Sequence, residues 1–91
     1  HNSEIEQELN KYSRNKVIFN FTPHLTPMFR GILTTMYLNL ESKSSVLKVH
    51  KYLSTFYKKD KFVKILKINS LISTNDVVNT NYCYVSVCKT K

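Results

Sequence analysis

Three histidines (His1, His24 and His50), two cysteines (Cys83 and Cys88) and two arginines (Arg14 and Arg30) hold most of this chain's capacity for proton transfer, nucleophilic attack and anion binding. No two histidines stand at HxH or HxxxH spacing, so they form no metal signature. His50 lies beside Lys51 in an amphipathic stretch and reads as a solvated or boundary side chain. His24 stands apart: Pro23 precedes it, and Pro27 and Arg30 follow closely. Imidazole and guanidinium together suit an anionic, acid/base-capable site, although a purely structural loop has the same composition. His1 precedes a helical stretch with Glu4 in its first turn, and a carboxylate beside an imidazole can orient it and raise its basicity. A terminal histidine is also commonly without a role. Cys83 and Cys88 are five residues apart, which puts them on opposite faces of a strand. They can neither chelate one metal nor pair there. Each reads as a small buried hydrophobe; a nucleophilic role has no neighbouring base in the sequence.

These residues need elements to position them. Ser3 and Glu6 have capping-box spacing, and Ile5, Leu9 and Tyr12 make a narrow apolar face, so 3–14 reads as a short helix with Asn15 as a left-handed terminator. Val17, Phe19 and Phe21 alternate, and 16–21 reads as a strand that Thr22-Pro23 ends. Residues 22–31 hold both prolines and the only glycine, Gly31, and read as a shaped loop. Residues 32–41 read as a long strand, β-branched and aromatic in content. Ser42 to Ser45 offers helix caps. Val46, Val49, Leu53 and Phe56 then mark a helix running to about Lys58. Residues 62–68 read as a strand, 69–81 as mostly loop, and 82–90 as a last strand. The expected order is α-β-β-α-β-β, an α+β layer with helices on one face of a mixed, largely antiparallel sheet.

The composition narrows the function. Ninety-one residues allow one small domain, which buries only about 60–65% of its unfolded surface. A single glycine excludes a glycine-rich phosphate loop of Rossmann or Walker type. Two cysteines exclude a four-cysteine zinc site or a dense disulfide scaffold. No apolar run approaches the roughly 18–20 residues that span a bilayer, and no signal peptide is visible. The chain starts at His1 rather than at Met and ends just after a strand-like run, so it reads as a piece of a longer protein. The net charge of +8 invites a nucleic-acid reading, with lysines and the aromatics Tyr52, Phe56, Tyr57 and Phe62 on phosphates and bases. Against it, twelve of the fourteen basic residues are lysine, and base-edge readout leans on arginine. A non-catalytic α+β module for oligomerisation or effector binding is the other alternative, since open sheet edges invite pairing between chains.

The stretch Phe21-Thr22-Pro23-His24-Leu25-Thr26-Pro27-Met28-Phe29-Arg30-Gly31-Ile32 resembles the "FTPHLxPMxRGI" signature of the N-acetyl-gamma-glutamyl-phosphate reductase family. His1 to Gln7 resembles the end of that family's "HxHxPEIEQ", with His1 as the second histidine. Asn81-Tyr82-Cys83 resembles its "NYC". The resemblance runs in order over nearly the whole chain. It implies that 1–91 is part of a C-terminal substrate-binding and dimerisation domain, related to that of glyceraldehyde-3-phosphate dehydrogenase, with the Rossmann cofactor domain outside it.

The implied parent is a cytoplasmic enzyme of arginine biosynthesis, or a plastid one in a plant-type source. It reduces an acyl phosphate to a semialdehyde with NADP(H) as cofactor and is a homo-oligomer, with no nucleic-acid or membrane partner. In the family a cysteine thiolate displaces phosphate to give a thioester, and hydride then reaches that carbon. The resemblance makes His1 the acid/base residue and Glu4 its orienting partner. His24 and Arg30 become candidates for shaping the substrate pocket. Two departures stand out: Ser3 replaces the family's proline, and the nucleophilic cysteine is absent. Cys83 matches the cysteine of "NYC", which is not that nucleophile.

Overall fold

The computed structural model describes residues 2–89. Its elements in chain order are helix α1 (Asn2–Tyr12), helix α2 (Val46–Phe56), strand β1 (Val63–Ile65), a 3-10 turn (Thr74–Asp76) and strand β2 (Cys83–Val85). The protein is α+β, as its sequence pattern implies, but its sheet is a parallel pair rather than a largely antiparallel array. The register sets Val63 against Cys83, Lys64 against Tyr84 and Ile65 against Val85.

The parallel sense follows from the connection. Parallel strands need a crossover of about a dozen residues or more, and the segment between β1 and β2 supplies one, folded around the 3-10 turn. Pairing extends past the strand ends. Cys83 N–H donates to the Phe62 carbonyl (2.7 Å), Leu66 N–H to Val85 (2.9 Å) and Asn69 N–H to Val87 (2.9 Å).

Segments 16–21 and 32–41, expected as strands, form none. Their alternation is genuine, but a strand persists only when a neighbour completes its ladder, and neither segment is paired in this chain. Ile32, Met36, Tyr37 and Leu38 consequently stand in solvent. The order α-β-β-α-β-β therefore reduces to α-α-β-β.

The helices need smaller corrections. α1 begins at Asn2, which places Ser3 inside the first turn rather than at the cap. Asn15 is not left-handed: the non-glycine residues with positive φ among those described are Asn69 and Asn79. α2 is capped by Ser45, whose hydroxyl accepts the Lys48 N–H at 3.2 Å. Its half-buried face is Val46, Val49, His50, Leu53, Ser54 and Tyr57, and it packs on β1. Phe56 is exposed and stacks on Tyr52 instead, with centroids 5.9 Å apart. α1 packs against neither α2 nor the strands. It is tied to the following segment where Val17 N–H donates to Asn10 Oδ1 (2.8 Å).

No described residue is fully buried. The accessible surface is 9087 Å², against about 5,500 Å² for a compact monomer of 10.7 kDa. The radius of gyration is 14.7 Å, where a compact chain of this length has about 12 Å. What core there is lies between α2, β1 and β2, from half-buried Val49, Leu53, Val63, Ile65 and Val85.

Candidate functional site

Arg30 is the expected site residue that the fold places on a groove. Gly31 follows it with φ of 110°, a conformation that costs glycine little and other residues much. An added Cβ there would meet the Thr74 side chain at 3.7 Å. This turn brings residues 30–33 beside the 3-10 turn and the start of β2. Between them opens a groove of about 680 Å³ whose wall includes Arg30, Ser73, Thr74, Asn79, Thr80 and Tyr82. A cationic guanidinium faces hydroxyls and an amide across a partly apolar floor of Ile32, Leu33, Ile72 and Val77. Such a set suits a small anionic ligand with a short aliphatic body.

Local chemistry shapes the far wall. Ser73 caps the 3-10 turn: its hydroxyl accepts Asn75 N–H at 3.2 Å, and its own N–H donates to Asp76 Oδ2 at 2.9 Å. Asn79 takes the left-handed conformation, with φ of 64°. Thr80 Oγ1 donates to the Val77 carbonyl at 2.5 Å and accepts Tyr82 N–H at 3.1 Å. These bonds turn the chain into β2.

The other candidates are dispersed. His24 is exposed in the 22–31 loop and does not line the groove. No hydrogen bond or ion pair joins it to Arg30, whose guanidinium instead lies 5.8 Å from the Phe29 ring centroid. Glu4 is exposed in the first turn of α1. His1 lies outside the described residues. Among the described residues no group of His, Cys, Asp and Glu is arranged to hold a metal.

The cysteines depart from expectation, since both are free and exposed rather than buried. Cys83 sits on β2, with no further layer covering it. Cys88 lies beyond the strand, with Sγ 3.6 Å from Ser86 Oγ. Serine 73, Thr74, Asn79 and Thr80 were not singled out from the sequence. Their only signal was the Asn, Ser and Thr richness of 69–81, which reads as loop and does not say which groove the loop lines.

No helix among the described residues is long and apolar enough to cross a membrane. No solved structure matches the chain significantly. Similarity to known sequences is extensive. A protein of Thermoanaerobacter pseudethanolicus, called N-acetyl-gamma-glutamyl-phosphate reductase, is 45% identical over 85 residues, covering 93% of this chain and 25% of that protein. Proteins of the same name from Staphylococcus aureus strain USA300 and from Clostridium kluyveri are each 39% identical over 87 residues, covering 96% of this chain and 25% of theirs. The chain thus spans a quarter of the length of these relatives. A family model described as "Semialdehyde dehydrogenase, dimerisation domain" matches residues 1–91. That match takes in α1, the Arg30 turn, α2 and both strands, and the chain belongs to the semialdehyde dehydrogenase dimerisation-domain family.

Proposed function

We propose that residues 1–91 are part of the C-terminal substrate-binding and dimerisation domain of an NADP-dependent reductase. That enzyme converts N-acetyl-gamma-glutamyl phosphate to N-acetylglutamate semialdehyde in arginine biosynthesis, in the cytoplasm. The observation that carries this reading is the shared name of relatives that are 39–45% identical across almost the whole chain. The Arg30 groove supports it, because it offers a cation and hydroxyls to a phosphorylated acyl group.

Each residue then has a stated part. Arg30 binds the phosphoryl oxygens through charge-assisted hydrogen bonds. His24 shapes the loop that carries Arg30. His1 moves protons to and from the reacting carbonyl, and Glu4 orients it. The described residues do not fit a dinucleotide, because one glycine and no glycine-rich strand-to-helix turn are present. The cofactor site and the nucleophilic cysteine belong to other parts of the polypeptide, so this chain alone has no turnover.

The exposed surface supports assembly. The excess over a compact monomer is roughly 3,500 Å², about twice what a standard protein interface buries in total. Ile32, Leu33, Met36, Tyr37 and Leu38 contribute to it. These residues meet the rest of the polypeptide and a second copy, which makes the enzyme a homo-oligomer.

The test compares the full-length protein with residues 1–91 alone, each given NADPH and N-acetyl-gamma-glutamyl phosphate. Oxidation of NADPH at 340 nm is expected from the first and not from the second. Turnover by the short chain, or none by the full-length protein, would overturn the proposal.

A further inference from the structure

A second groove, of about 650 Å³, lies between the end of α2 and the β1–β2 pair. Tyr57 closes α2: its N–H donates to the Leu53 and Thr55 carbonyls. Asp60 N–H then donates back to the Tyr57 carbonyl at 3.0 Å. This turn carries Lys58 to the mouth of the groove. On the opposite wall Lys64 is the register partner of Tyr84. Tyr82, two residues earlier, points to the same side. Lys64 Nζ lies 5.7 Å from the Tyr82 ring centroid, and the Tyr82 and Tyr84 rings are 6.3 Å apart. Tyr82 remains 40% exposed, so a ring face is open to a ligand. Asp60 is the one carboxylate in the lining, set within a run, 57–67, that holds five lysines.

Lysines 58 and 64 offer two cations to one groove whose wall is aromatic. Ammonium groups bind phosphate as point charges, and tyrosine faces stack on planar rings at a gain comparable to other aromatic pairs. A volume of several hundred cubic ångströms suits a ligand of nucleotide size. We propose that this groove binds a phosphorylated aromatic ligand of nucleoside-monophosphate type, with its phosphate on Lys58 and Lys64 and its ring on Tyr82 and Tyr84. The inference is independent of the Arg30 reading, because neither lysine lines the Arg30 groove. The same chemistry has two sources: a free nucleotide, or the adenylyl end of a dinucleotide anchored elsewhere in the polypeptide.

The test is calorimetric titration of the full-length protein with AMP, with and without saturating NADP. The expected result is saturable one-site binding that weakens roughly tenfold or more in Lys58→Ala/Lys64→Ala, as loss of charge-assisted contacts implies. Affinity should be restored largely in Lys58→Arg/Lys64→Arg and kept in Tyr82→Phe but not in Tyr82→Leu. Arg30→Ala should leave it unchanged. AMP binding that survives NADP and needs the lysines assigns the site to a free nucleotide. Binding that NADP displaces and that needs the lysines assigns it to the dinucleotide's adenylyl end. No AMP binding, or AMP binding indifferent to the double lysine change while the variant keeps its thermal transition, would overturn the proposal.

Discussion

His50 Nε2 lies 2.8 Å from the Leu66 carbonyl oxygen, which ties the middle of α2 to the chain leaving β1. A carbonyl only accepts, so Nε2 carries the proton and the neutral ring keeps Nδ1 unprotonated. Both partners are half-buried, where an orphaned carbonyl costs more than the bond contributes. His50→Ala is expected to destabilise the intact protein by about 1–2 kcal/mol. His50→Gln should recover part of that through its amide N–H. Equal midpoints for wild type and His50→Ala in urea denaturation would remove this bond from the account of how helix and sheet hold together.

Asn69 is a second joint. Its φ of 67° is left-handed, its N–H donates to Val87 at 2.9 Å, and its Oδ1 accepts Lys89 N–H at 3.1 Å. Asparagine tolerates this conformation better than most residues. Asn69→Gly keeps the backbone and loses the side-chain bond, whereas Asn69→Ala loses both advantages. We expect Asn69→Ala to cost about 1–2 kcal/mol and Asn69→Gly less. Thermal midpoints of the two variants give the order; Ala no worse than Gly would show that the left-handed turn is not needed.

What the sequence made legible is local. Val46, Val49 and Leu53 announced α2 because the apolar period and the Ser45 cap are both short-range signals. Phe62 to Ile68 and Tyr82 to Val87 announced the strands that do pair. The pairing sense was not legible, since it depends on the path of 69–81, which has no period to read. Residues 32–41 have strand alternation on both faces and still form no strand, because the ladder partner is a long-range requirement that no local pattern contains. Arg30 was legible through its motif. The far wall of its groove was not, because Thr74, Asn79 and Thr80 reach it only through two left-handed asparagine turns and a 3-10 cap.

The missing core makes its own prediction. With no buried residue and an apolar surface that includes Phe29 at 96% and Ile32 at 87% exposure, residues 1–91 bury too little to offset chain entropy. Expressed alone, the chain should bind a hydrophobic dye such as ANS and melt over a broad range. The full-length protein should show a sharp transition and little dye binding. A cooperative calorimetric peak from the short chain, with an enthalpy near the roughly 60 kcal/mol that its length implies, would show that it folds unaided.

Arg30 and His24 share a loop but not a groove, and this separates their expected effects. In the full-length reductase, Arg30→Ala removes the cation that faces Thr74 and Thr80 across the cleft. The KM for the acyl phosphate should rise by about 10–100-fold, the range that one or two charge-assisted hydrogen bonds supply. Arg30→Lys should recover only part of this, because an ammonium lacks the planar fork that grips two phosphoryl oxygens. His24→Ala, exposed and away from the lining, should change KM by less than about threefold, the size of an indirect loop effect. Steady-state kinetics on the three variants distinguishes them. A larger KM effect from His24→Ala than from Arg30→Ala would move the substrate to the other side of the proline loop and leave the Arg30 groove without its assigned ligand.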